Sequence, residues 1–249
     1  MNIEKGKYWD VAVNPIVHDK CSCEVGDRCW AKKMLHMRRN LKGWQPGYYF
    51  KRLNNIPLTG KSRVFAFNWL CDIAHSSVPK DKITSVLTNL SVTNEHRVKH
   101  WGLQPHIFLI LSKFPHRLFD AINNSFKQEG YWKDGLWIGT SISGADNTND
   151  FNRLWVISKF KDIGFKTWLS YEPILNPVSK DFNMLRGMFD QIIAGAETGS
   201  GARPCNLDWI RTIRDECANA NVPFFLKQID KDRRRLLDGR THDDLAWRK

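Results

Sequence analysis

Short apolar runs rich in β-branched and aromatic residues recur along this chain at intervals that leave room for a helix between one and the next, and this alternation constrains the fold more than any other feature. The candidate strands fall at residues 10–15, 63–68, 106–112, 136–143, 167–172, 191–197 and 223–228. They are apolar at successive positions, as in Ile192-Ile193-Ala194 and Phe224-Phe225-Leu226, which is the pattern of strands buried on both faces. Segments with apolar spacing near the helical period fall at 28–40, 80–92, 115–129, 149–163, 178–189 and 208–221. Strand and helix in alternation predict an α/β fold with parallel strands covered by helices, closing into a partial or complete parallel (βα) barrel of about six to seven strands.

Most of the runs end on polar residues: Asn68, Ser112 and Lys113, Ser141 and Ser143, Glu172, Glu197, and Lys227 and Gln228. Active sites of parallel α/β barrels assemble from those carboxyl ends. The competing reading is that each residue caps the next helix or terminates its strand. At 249 residues, 42% of them hydrophobic, the chain suffices for a single domain over residues 1–249. Within it, an irregular insertion is expected at about 43–60, marked by Gly43, Pro46, Gly47, Pro57 and Gly60, and a basic C-terminal extension at about 229–249. Lys plus Arg number 38 against 26 Asp plus Glu, a net charge of +12, which favours a polyanionic partner. The insertion mixes Lys42, Lys51, Arg52, Lys61 and Arg63 with Trp44, Tyr48, Tyr49 and Phe50, a combination suited to phosphates and splayed bases. Arg233-Arg234-Arg235 reads most simply as a solvated basic segment that also suits DNA phosphates. The N-terminus lacks the apolar core of a signal peptide and no run reaches a membrane span, so a cytoplasmic protein without a membrane partner is expected.

Cys21, Cys23 and Cys29 crowd into nine residues and Trp30 follows. Three thiolates can hold three irons of a cubane cluster and leave the fourth open to a small molecule. Zinc is the competitor, with His18 completing a set of three cysteines and one histidine. The spacing C-x-C-x5-C is irregular for either metal. Cys71, Cys205 and Cys217 are scattered and read as ordinary buried small residues.

Eight ordered blocks carry a family resemblance: Cys29-Trp30-Ala31; Arg63-Val-Phe-Ala-Phe-Asn68 with Asp72, His75 and Val78-Pro79; Leu111-Ser-Lys113-Phe-Pro115-His-Arg117-Leu118; Leu136-Trp-Ile-Gly139-Thr-Ser141; Leu169-Ser-Tyr-Glu172-Pro173; Ala194-Gly195-Ala-Glu197-Thr-Gly199-Ser-Gly201-Ala-Arg203-Pro204; Val222-Pro-Phe-Phe-Leu-Lys227-Gln228; and Leu237-Asp-Gly-Arg-Thr-His-Asp243. In these the sequence resembles a phage-associated Gp37/Gp68-like family with a three-cysteine motif, whose members look like divergent radical S-adenosylmethionine (SAM) enzymes. Family members usually place two residues between their second and third cysteines, whereas five separate Cys23 from Cys29.

The resemblance implies a barrel of the radical SAM type, a [4Fe-4S] cluster on Cys21, Cys23 and Cys29, and SAM on the open iron, split to a 5'-deoxyadenosyl radical after reduction. It implies Trp30 beside the cluster and adenine, Asn68 and Asp72 at the SAM amino group, and Ser112, Lys113, Thr140, Ser141 and Ser143 at its ribose or carboxylate. Glu172 and Glu197 would accept from ribose hydroxyls or a substrate ammonium. Arg203 and Lys227, beside Gln228, would grip a substrate carboxylate or brace the mouth as ion pairs. The Gly199–Arg203 turn would cradle an anion. The reaction implied is isomerisation of a glycinyl thymidine in DNA from an N-linked to a C-linked form, with DNA and a cluster reductant as partners. Radical modification of RNA or a peptide, and a zinc-stabilised nucleic-acid-binding module, are the alternatives.

Overall fold

A computed structural model describes residues 5–18, 30–38, 45–126, 132–144, 148–177 and 187–248. Its elements are β1 (Val11–Val13), β2 (Ile16–Val17), α1 (Trp30–Arg38), β3 (Gly47–Tyr48), β4 (Val64–Phe67), α2 (Lys80–Trp101), β5 (Ile107–Leu111), α3 (Pro115–Phe126), β6 (Leu136–Ile142), α4 (Thr148–Asp162), β7 (Lys166–Tyr171), β8 (Gln191–Gly195), α5 (Leu207–Asn219) and β9 (Phe224–Gln228). Seven strands form one parallel sheet in the order β1-β4-β5-β6-β7-β8-β9, and β2 and β3 form a separate antiparallel pair. This is the α/β fold of the partial parallel (βα) barrel class, with a strand at each of the seven expected places. Of the helix expected at 178–189, residues 178–186 lie outside the described residues and 187–189 are not helical. The chain divides into two compact units, Trp9–Trp137 and Ile138–Lys249 with Met1–Tyr8.

In the unit Trp9–Trp137, β4 lies between β1 and β5, with Val11 opposite Phe65 and Val64 opposite Ile107. All four residues of β4 are buried. Phe67 meets Phe108 edge-on at 5.5 Å, the arrangement that aromatic quadrupoles favour. Helix α2 runs well past residue 92 to Trp101 and stops at Gly102, whose φ of 60° and backbone N–H bonds to Arg97 and Val98 close the helix. Polar residues after Val92 break the apolar period, but they are buried for a different purpose. Asn94 donates to the carbonyls of His106 and Asp134 and accepts from the His106 N–H at 2.8 Å. Arg97, fully buried, donates to the carbonyls of Pro57, Gly60 and Gln104. The second half of α2 is thus a clamp for buried loop backbone, which needs such partners. Gly135 is part of the same contact: a Cβ there would lie 2.0 Å from the His106 oxygen.

The antiparallel pair joins the end of β1 to the insertion. Of that insertion, residues 45–60 are described and contain β3 and a 3₁₀ turn, Phe50–Asn55. Strands of two residues are too short to show a period, so sequence pattern does not reveal them.

In the other unit, the Tyr8 ring packs against Trp168, Phe225 and Trp247. Gly139 in β6 makes room for the Trp168 ring, which a Cβ would approach to 2.5 Å. The C-terminal residues return to the sheet: the Leu226 N–H donates to the His242 carbonyl, and Gln191 bonds to Asp244 and Ala246. Here the basic run departs from expectation. Arg233 and Arg234 are exposed, but Arg235 is 6% exposed, bonded to the Leu226 carbonyl and Asp243 and stacked 4.9 Å from the Phe225 ring. It holds the returning chain and is not a solvated cation.

His106 is fully buried, with Nδ1 accepting from the Arg63 N–H at 3.1 Å and Nε2 donating to the Pro57 carbonyl at 2.8 Å. Both nitrogens are committed in the neutral tautomer, and burial, against a raising contribution from Pro57, lowers its pKa to about 4. Between that value and an unfolded pKa of about 6.5, the unfolded chain takes a proton that the folded one refuses, so stability falls as pH falls. Urea midpoints should therefore drop from pH 7 to pH 4.5, by up to about 3 kcal/mol of stability. His106→Gln should be less stable at pH 7 and should retain only the weaker dependence that His242, also lowered by burial, supplies.

Candidate functional site

In the unit Trp9–Trp137, the polar residues expected after β4 and β5 meet. Asp72 Oδ1 accepts from the Ser112 hydroxyl at 2.7 Å and the Ala74 N–H at 2.9 Å, and Oδ2 accepts from the Lys113 N–H at 2.7 Å. Ser112 in turn accepts from the Phe114 N–H. The loop that carries Asp72 is clamped from α3, where Arg117 donates to the carbonyls of Ala74, His75 and Val78. His18, three residues before Cys21 in sequence, bonds through Nε2 to the Asp72 carbonyl at 3.1 Å and stacks on His75 at 4.6 Å. Its Nδ1 is buried and has no hydrogen-bond partner among the described residues.

Asn68 does not join this group. Its φ of 51° is in the left-handed region that asparagine tolerates, and its side-chain amide pairs with Ile16, donating to the carbonyl at 3.0 Å and accepting from the N–H at 3.3 Å. It acts as one more rung beside β2. Asn14, which no motif marked, does the same for the Leu70 N–H.

In the unit Ile138–Lys249, Glu172 follows β7 and its Oε1 accepts from Lys227 Nζ at 2.6 Å and Gln228 Nε2 at 2.9 Å. Oε2 has no partner among the described residues. The Ser141 hydroxyl donates to the Glu172 carbonyl at 3.0 Å. Gly195 lies against the cluster: a Cβ there would be 2.8 Å from Gln228 Nε2 and 3.4 Å from Glu172 Oε1. The absence of a side chain at Gly195 is what lets the amide reach the carboxylate. Glu197 forms a separate pair, accepting from Arg203 N and Nε on Oε2 and from its terminal nitrogen on Oε1. Glu197 is 7% exposed, and its bond raises the Arg203 pKa above the ordinary guanidinium value. Such a forked, charge-assisted pair fixes geometry as well as charge.

Thr140 is fully buried within β6. Ser143 is held by Asp150, which accepts from the N–H groups of Ser143 and Gly144, and Asp150 pairs with Arg153 at 3.0 Å. Arg153 also donates to the Ser141 carbonyl. Asp150 and Arg153 were not expected in this role; the signal was an acidic residue in a first helical turn with a cation three positions on.

Cys21, Cys23 and Cys29 lie outside the described residues. Trp30 opens α1. Among the described residues no group of three or more His, Cys, Asp or Glu could hold a metal, and no helix is long and apolar enough to cross a membrane. Burial pushes the thiols of Cys71 and Cys205 up to about 11 and that of Cys217 up to about 12, so all three are protonated at neutral pH.

Residues 5–247 match the family model described as "Protein of unknown function (DUF5131)". The chain belongs to the DUF5131 family. No curated protein and no solved structure matches it.

In this DUF5131 chain, Asp72 ties the end of β5 to the loop after β4 through both of its oxygens. Asp72→Ala should cost about 3 kcal/mol, since it strands buried donors. Asp72→Asn keeps one acceptor and should cost about half as much. Denaturant midpoints of the two variants test this, and an unchanged Asp72→Ala midpoint would show that the carboxylate does not hold the loop.

Proposed function

We propose that this chain is a radical SAM enzyme of nucleic-acid modification that isomerises a glycinyl thymidine in DNA from the N-linked to the C-linked form. The observation that carries this reading is the bond of His18, at the root of the cysteine segment, to the backbone of Asp72, whose carboxylate gathers Ser112 and Lys113. A residue three before Cys21 is thereby bonded to the backbone of the residue whose carboxylate is expected at the SAM amino group. The donor set fits the cofactor pair: three thiols closely spaced in sequence and a carboxylate oxygen on Asp72 with lone-pair capacity beyond its one amide donor.

Cys21, Cys23 and Cys29 would hold the [4Fe-4S] cluster and Asp72 the SAM ammonium. When bound and reduced, the cluster supplies the electron that cleaves SAM to a 5'-deoxyadenosyl radical. Glu172 Oε2, without a partner among the described residues, suits a ribose hydroxyl or a substrate ammonium. Lys227 and Arg203 suit the glycyl carboxylate, each already oriented by its glutamate. The isomerisation breaks the bond from the glycyl nitrogen to the exocyclic thymine carbon, forms one from the glycyl α-carbon to that carbon, and moves one hydrogen from carbon to nitrogen. It therefore needs no net oxidant.

For the DNA strand, Tyr48 offers an exposed ring with Lys82 nearby and Lys51 exposed in the following turn, a surface for stacking an extruded base beside phosphates. Arg52 is already committed, bonded to the Asn14 carbonyl and stacked 4.5 Å from the Tyr49 ring.

His18 Nδ1, which has no hydrogen-bond partner among the described residues, supports a second reading, a zinc ion on three cysteines and this histidine. Anaerobic reconstitution with iron, sulfide, SAM, dithionite and DNA containing glycinyl thymidine separates the two. The expected result is a brown protein with about four irons per chain, 5'-deoxyadenosine formed in the presence of DNA, and a nucleoside of unchanged mass and altered retention. Cys29→Ala should abolish all of these. A colourless protein with stoichiometric zinc would overturn the enzymatic reading. Cleavage of SAM that ignores DNA would transfer the substrate role to RNA or a peptide.

A further inference from the structure

A second place on the chain has the chemistry of a metal ligand pair and is independent of the cysteines and of the proposed reaction. We infer that His96 and His100, on the last turns of α2, form a two-imidazole site for a divalent transition metal of the Cu(II) or Ni(II) type. Residues four apart project from the same helical face. The two rings lie with centroids 4.4 Å apart and planes 34° apart. His96 Nδ1 is buried without a hydrogen-bond partner among the described residues, a state that costs free energy unless a ligand relieves it. The neighbouring charges are already paired with each other: Lys99 bonds Glu95 at 2.7 Å and lies 5.7 Å from the Trp132 ring. Glu95 is thus occupied by Lys99.

The two rings are close enough to share one ion. With metal–nitrogen bonds of about 2.1 Å and a ring centre about 1.1 Å beyond each nitrogen, two imidazoles bound at about 90° have centroids about 4.5 Å apart, and at the tetrahedral angle about 5.2 Å. The observed 4.4 Å is nearer the right-angled spacing, that of square-planar or octahedral ions such as Cu(II) or Ni(II). No third His, Cys, Asp or Glu among the described residues joins the pair, so the remaining positions would fall to water on the side of the exposed His100. The helix is complete without it, which makes this a loading site and not a structural one.

Calorimetric titration of the full chain with Ni2+, alongside near-ultraviolet absorption that reports thiolate ligation, tests the site. One equivalent of Ni2+ should bind without thiolate absorption and should raise the thermal unfolding midpoint. His100→Asn, at an exposed position, should weaken that equivalent by at least about tenfold and remove the rise. His96→Gln should do the same, while His116→Asn, an exposed histidine elsewhere, should change neither. Any thiolate-bound Ni2+ should persist in all three variants. Equal affinity in wild type and His100→Asn would overturn the assignment, whatever becomes of the radical chemistry.

Discussion

A strand covered on both faces can place charged groups only at its ends, and that constraint organises this protein. In β4, β6 and β8 every residue is buried. A carboxylate within such a strand would be desolvated with nothing to pair with. At the carboxyl end, loop N–H groups and neighbouring strand termini come within reach. Asp72, Glu172 and Glu197 all lie just beyond strands and all find donors there.

These carboxylates are neither free ligands nor plain structural pairs. Glu172 concentrates Lys227 and Gln228 on one oxygen and leaves the other without a described partner, whereas Glu197 spends both oxygens on Arg203. Removing one partner of a buried pair strands the other, so the bonds needed for folding also hold the charged groups in fixed positions. Glu172 is therefore the better placed of the two to accept a ligand hydrogen bond without dismantling its own support. Arg203 is the more accessible cation, with a side chain 41% exposed.

The strands were legible in the sequence because uninterrupted apolar runs have few other places to go. So were most strand-end residues, since Asp72, Ser112 and Lys113 converge, as do Glu172, Lys227 and Gln228. What escaped was polar residues doing structural work. Asn94 and Arg97 continue α2 by bonding loop carbonyls, Asn68 substitutes a side-chain amide for a strand rung, and Arg235 is buried inside a run that reads as solvent-facing. Periodicity registers where apolar side chains point. It carries no signal for a polar side chain whose partner is backbone distant in sequence, as Asn94 is from Asp134.

The thiols complete the contrast between structural and chemical residues. Cys71, Cys205 and Cys217 are held protonated by burial, and a protonated thiol neither ligates a metal nor attacks an electrophile. Cys71 nevertheless has a place in the architecture: its sulfur accepts from the His18 N–H at 3.4 Å, helping to anchor the residue from which the chain enters the cysteine segment. Because burial disarms the described thiols, any thiolate chemistry at neutral pH falls to Cys21, Cys23 and Cys29. For the proposed cluster on three cysteines, that silencing would remove competing thiolate ligands.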